Sequence, residues 1–223
     1  MTNVMYRRRH RQVCGVLNDF DLSSFLPLRD ASSLHHTGTA PYMACDLLHA
    51  TDISHLYCHD IEALFYVLMM LCCRYKIVCS DKGSTMKELK MEKGKKPPFS
   101  DWLDRMMMWE ALSRQKRCFL AEDMPIPTLT SFSAFLPWLQ DIWVAFGDGF
   151  HAQTKSKIQP NLKRKIPANF IPLSEHDLTN CPSSIQIPVP FDEETLGGYV
   201  VYSDFLAIMS DIGGHSLVIK NDQ

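Results

Sequence analysis

The segment His59–Tyr75, HDIEALFYVLMMLCCRY, constrains the fold of this chain more than any other. Its residues Ile61, Leu64, Phe65, Leu68, Leu71, Cys72 and Tyr75 recur at helical spacing, and Val67, Met69 and Met70 fill the remaining face. A helix that is apolar nearly all round has no face to offer water and belongs at the centre of a sizeable domain. The uninterrupted apolar run, Ala63–Cys73, is too short to span a bilayer. The helix is expected to start near Asp60, with Asp60 and Glu62 in its first turn, where carboxylates favour the positive end of the helix dipole. The chain has 223 residues, enough for one substantial domain built around such a helix or for two small ones.

The segments around it predict a mainly α fold with a small β element. Residues 3–6 and 12–17 read as two short strands joined by the polar turn RRRHR at 7–11. A segment broken by Pro27, Gly38 and Pro41 follows. Residues 80–100 read as a lysine-rich connection. Ser100 then caps a helix over 101–117, which ends in cations. In that helix Met106–Met108 are expected as core filler. A third helix over 131–146 carries one apolar stripe: Phe132, Phe135, Leu136, Leu139, Ile142, Trp143 and Phe146. Pro137 falls near its first turn, where proline is tolerated. Residues 150–198 read as proline-rich and irregular. A last helix, SDFLAIMSDI, is capped by Ser203 and stopped by Gly213 and Gly214.

Composition narrows the function classes. The formal net charge of -2 argues against wholesale nucleic-acid binding, and RRRHR reads as a basic hairpin tip. The eight cysteines include no Cys-x-x-Cys pair, which fits free thiols in a reducing compartment. The basic start is followed by too short an apolar stretch for a signal peptide. An intracellular protein, cytoplasmic or nuclear, with no membrane association is expected. His55 and His59 stand four apart, with His35, His36 and His49 nearby, yet no ligand pair has finger or zincin spacing. A zinc- or nucleic-acid-binding domain therefore ranks last among the functional readings.

The chemistry begins at VCGVLNDFDLSS, residues 13–24. An apolar run stops at Asn18 and places Asp19 and Asp21 on either side of Phe20. An aspartate at a strand end is a good magnesium ligand, because its backbone is fixed and its carboxylate reaches the cleft. On this stretch alone an ordinary strand-ending turn is the favoured reading, since Asp and Asn are common turn residues. Two later stretches change the weighing: Gly38-Thr39-Ala40-Pro41-Tyr42-Met43-Ala44-Cys45-Asp46, and His59-Asp60-Ile61-Glu62-Ala63-Leu64.

In this order the three stretches resemble the second half of a protein-kinase C-lobe. Their wording, VLNDFDL, GTAPYMACDLL and HDIEALFYVL, most closely resembles the fungal-type protein kinase family, strongly over residues 3–75 and only architecturally beyond. The resemblance implies that Asp19-Phe20-Asp21 stands for the magnesium-binding DFG triplet. Asn3 stands at the end of the catalytic loop as a second metal ligand. Thr39, Pro41 and Tyr42 line the substrate side of the activation segment, Asp46 replaces the Glu of an APE motif, and Asp60 braces the catalytic loop. Asp21 replaces glycine and adds a charge near the metal. Asp46 is one methylene shorter than Glu, and Arg164 is the candidate for its cationic partner. Ser32, Ser33, Thr37 and Thr39 are the phosphate acceptors such a segment offers.

The resemblance implies one kinase-like C-lobe over residues 1–223 without its N-lobe. Residues 3–21 end the catalytic loop and form the metal-binding strand pair, 22–56 form the activation segment, and 57–223 form the helical subdomain. Counting back from Asn3 places the catalytic Asp before Met1, and nothing in the chain resembles the Gly-rich loop or the ATP-clamping Lys. Full-length relatives transfer the γ-phosphoryl of ATP to protein serine or threonine with magnesium. This chain alone is expected neither to bind ATP and magnesium productively nor to transfer phosphate. The rival is a non-catalytic, pseudokinase-like interaction module, whose apolar cleft floor takes a protein partner.

Overall fold

The computed structural model describes residues 5–9, 12–16, 38–49, 53–80, 83–91, 95–122, 125–163, 190–212 and 215–216. It divides into two compact units, residues 1–36 and 37–223. In the first, β1 (Met5–Arg9) and β2 (Gln12–Val16) form an antiparallel ladder that runs from Met5 opposite Val16 to Arg9 opposite Gln12. Arg7, Arg8 and Arg9 therefore belong to the strand rather than to a hairpin tip. A two-residue connection lets the ladder run further than a five-residue one.

The second unit is mainly helical. It comprises α1 (Cys45–His49), α2 (Tyr57–Arg74), the hairpin β3 (Tyr75–Ser80) and β4 (Gly83–Glu88), and α3 (Trp109–Ala121). These are followed by α4 (Leu136–Lys163), α5 (Tyr202–Ser210) and the two-residue strands β5 (Asp211–Ile212) and β6 (His215–Ser216). The apolar segment that opened the analysis is α2, and it holds the centre. Phe65, Tyr66, Met69, Met70, Cys72 and Cys73 are buried, and only Leu64 among its large apolar residues is exposed. Around Phe65 lie Phe119 of α3 and Phe146 of α4, with ring centroids 6.5 and 6.1 Å away. Trp102 stands edge-on to both Tyr66 and Phe119. This buried aromatic cluster packs α2, α3 and α4 together with the aliphatic residues around it.

Several sequence expectations are corrected here. The helix starts at Tyr57, three residues before Asp60, because Glu194 closes its N-terminus: Glu194 Oε2 accepts from Tyr57 N (2.8 Å) and Glu194 O from Cys58 N (3.1 Å). Glu62 lies within the core, not at the helix end. The lysine-rich stretch after α2 contains the β3–β4 hairpin, with Tyr75 opposite Glu88. Arg74 fixes it, donating to Glu88 Oε1 (2.6 Å), Pro98 O (2.9 Å) and Ser100 Oγ (3.1 Å).

Ser100 opens a short 3-10 turn, Ser100–Leu103, and its hydroxyl donates to Pro97 O rather than capping a helix. The carboxylate of Asp104 then accepts from Met106 N (2.9 Å), an Asx turn that delays α3 until Trp109. As a result Met106 is 87 % exposed and Met108 68 %, so only half-buried Met107 acts as core filler. A 3-10 turn, Thr130–Phe135, precedes α4, which begins at Leu136, has Pro137 in its first turn, and runs on to Lys163. The segment expected to be irregular from residue 150 is thus helical up to 163. Ser203 lies inside α5, where its hydroxyl faces Asp204. No helix among the described residues is long and apolar enough to cross a membrane.

Candidate functional site

The loop Gly38–Asp46 is held by its backbone. Gly38 and Thr39 are exposed, Ala40–Tyr42 make one 3-10 turn, and Met43, Ala44 and Cys45 are buried as the chain enters α1. Three buried polar side chains reach the loop from two helices. Glu62 of α2 accepts from Cys45 N (2.9 Å) and from the Tyr66 hydroxyl (2.7 Å). Ser113 of α3 donates to Cys45 O (2.8 Å). Lys116 of α3 donates to Met43 O (2.5 Å) and Ala40 O (3.3 Å), and its ammonium lies 4.0 Å from the centroid of the Tyr66 ring. Just outside this network, Arg117 forms an ion pair with Asp46.

Glu62 and Lys116 are almost wholly inaccessible to water, so burial penalises the charged form of each, and the hydrogen bonds of the loop and their mutual attraction offset that penalty. Burial pushes the Glu62 carboxyl above its usual range, against the hydrogen bonds from Cys45 and Tyr66 and the attraction of Lys116. Burial lowers Lys116 to about 8, against the pull of Cys45 and Glu62. The Cys45 thiol, 3.3 Å from the Tyr66 hydroxyl, is raised well above its ordinary value by burial and then by Glu62. It stays a thiol and is no nucleophile. The arrangement performs no bond chemistry of its own. It fixes the course of a loop whose outer edge remains open.

That edge carries the sequence-expected substrate-side residues. Thr39 is exposed and its carbonyl accepts from Tyr42 N (2.8 Å), Pro41 is half-buried, and Tyr42 packs against the core. Burial raises the Tyr42 phenol. Asp46 pairs with Arg117, one position from Lys116; the proposed Arg164 lies outside the described residues. Asp60 is largely exposed and pairs with His55 Nε2 at 2.9 Å, which raises the His55 imidazole. Asn3 and Asp19 lie outside the described residues, as do Ser32, Ser33 and Thr37. Among the described residues no three His, Cys, Asp or Glu side chains converge on a metal position, and the His55 and His59 rings merely face one another at 5.8 Å.

The residues that hold the loop, Glu62, Ser113, Lys116 and Arg117, were not among the expected site residues. One signal could have found Lys116. It shares a helical face with Leu112, Phe119 and Leu120, so its spacing places it inside.

Residues 1–72 match the fungal protein kinase family model. The match spans Asn3, Asp19, Thr39, Pro41, Tyr42, Asp46 and Asp60, and ends inside α2. Ser113, Lys116 and Arg117 lie beyond it, so the fungal protein kinase likeness covers the loop but not the α3 side chains that grip it. No curated protein and no solved structure matches the chain.

Proposed function

We propose that this chain is the C-terminal lobe of a fungal-type protein kinase and that Gly38–Asp46 is the substrate-side end of its activation segment. The observation that carries the reading is the anchorage of that loop. The Asp46–Arg117 ion pair and the bonds from Glu62, Ser113 and Lys116 fix its backbone, while Thr39 is left at the surface. A rigid loop with an exposed edge positions a peptide hydroxyl for transfer, which is most of what phosphoryl-transfer catalysis asks of a protein. In the complete enzyme Asp19 and Asn3 would hold magnesium, and ATP would supply the γ-phosphoryl. Asp60 would brace the catalytic loop. The 223 residues alone transfer no phosphate, because the general base and the ATP-clamping Lys are not among them.

A second reading, a non-catalytic interaction module, is favoured by the exposed Leu103, Met106, Met108 and Trp109 within seven residues, an apolar patch of the kind that partners cover. Incubating the chain with magnesium, labelled ATP and a generic acceptor protein tests the first reading. No transfer is expected from residues 1–223. Transfer is expected from a longer chain that supplies an HRD-type triplet and a Lys upstream, and Asp19→Ala should abolish it there. Transfer by residues 1–223 that Asp19→Ala abolishes would overturn the inactivity. An inert longer chain would favour the module.

A further inference from the structure

A groove of about 560 Å³ runs along the surface between the C-terminal end of α3 and the middle of α4, open to solvent. Its volume is in the range of sites that take a few side chains. The floor is aromatic and aliphatic: Leu120 from α3, with Trp143 and Phe150 from α4. The two helices that wall it are closely joined. The Trp143 indole donates to Phe119 O (2.9 Å), and Gly147 lets α4 approach so closely that an added Cβ would lie 2.8 Å from Leu120 O.

The charge around this floor is one-sided. Glu122 at the end of α3 and Asp148 on α4 both line the groove, both are exposed, and neither has an ion-pair partner among the described residues. The C-terminal end of α3 adds its own negative potential on the side of Glu122. Arg117 also lines the groove, but its charge is matched by Asp46, and its guanidinium carbon already lies 5.1 Å from the centroid of the Phe150 ring. His151 completes the rim. Unpaired carboxylates over an aromatic floor repel polyanions. They complement a cation that carries apolar surface with it, for which both ion pairing and cation–π contact are available.

We infer that this groove docks an extended, arginine- or lysine-bearing segment of a partner protein, with the cation between Glu122 and Asp148 and an aliphatic neighbour on Leu120 and Trp143. The inference is separate from the kinase reading, since it needs neither ATP nor the loop Gly38–Asp46.

The test uses the full chain and three fluorescein-labelled octapeptides, in which leucine alternates with arginine, with serine or with glutamate, read by fluorescence anisotropy at two salt concentrations. The arginine peptide is expected to bind with a Kd below about 1 mM, the others more weakly. Glu122→Gln combined with Asp148→Asn should weaken it about tenfold, the loss expected from two exposed ion pairs. The same neutralisation at two exposed carboxylates outside the groove, Glu110→Gln with Asp141→Asn, should leave it unchanged. Circular dichroism checks that both double variants keep their fold. Absence of binding, equal binding of the serine and arginine peptides, or equal loss in both double variants would each overturn the inference.

Discussion

Lys116 makes the stability of this protein depend on pH in a direction opposite to its thiols. Its folded value is about 8 against an ordinary 10.5, because burial penalises the ammonium. Below pH 8 folded and unfolded chains both hold the proton, and the buried charge keeps stability about 3 kcal/mol lower than the neutral amine would. Between about pH 8 and 10.5 the unfolded lysine keeps its proton while the folded one has released it, so this site's contribution to stability rises with pH. The gain reaches about 1.3 kcal/mol between pH 7 and 9. Cys58 and Cys73, raised by burial to about 12, and Cys72, raised to about 11, act the other way. Above pH 9 their unfolded counterparts lose protons first, and stability falls.

The perturbation that isolates the lysine is Lys116→Met, which keeps an unbranched chain one atom shorter and removes the charge. It also leaves Met43 O and Ala40 O without their donor, a pH-independent loss of about 2–4 kcal/mol. Urea unfolding of both proteins in reducing buffer at pH 7, 8 and 9 gives the difference in stability, in which the thiol contributions nearly cancel. The wild-type advantage over Lys116→Met should grow by about 1.3 kcal/mol from pH 7 to 9. A difference that stays flat, or shrinks, would refute the claim that Lys116 is buried as a strained cation.

Two further substitutions probe the packing around the loop and the groove. Ser113→Ala removes the donor to the buried Cys45 carbonyl and should cost about 1–3 kcal/mol, read as a lower urea midpoint with an unchanged slope. Gly147→Ala drives a Cβ against the backbone at Leu120 O and should cost about 1–3 kcal/mol by forcing α4 away from α3, read as a lower melting temperature.

The central helix was legible because four turns of apolar residues allow only one environment, and the start of α4 because its stripe is equally regular. The β3–β4 hairpin was not. Its returning strand, Gly83–Glu88, reads GSTMKE and has no apolar alternation. The hairpin is fixed instead by Arg74, which bonds to Glu88 on one side and to Pro98 and Ser100 on the other. The break before α3 comes from one side chain, Asp104, turning back on Met106 N, and it moved two methionines from an expected core to the surface. At the candidate site the motif residues Thr39, Pro41, Tyr42 and Asp46 could be located from sequence order. Their supports could not, because a lysine or glutamate is by default a surface residue, and only the fold shows Lys116 and Glu62 enclosed.

The closure of α2 by Glu194 has a consequence for how the chain assembles. Tyr57 waits for a partner 137 residues further along, Cys58 for the same residue, and Leu196 and Val200 enter the core from the same late segment. During synthesis the ribosome delivers the central helix early and its N-terminal closure late. Between these events the start of the helix frays, and the core beside Gly149 is open where Leu196 will pack. So distant a contact is entropically slow to form. Residues 191–205 therefore close the start of α2 and this side of the core only after most of the chain has been made.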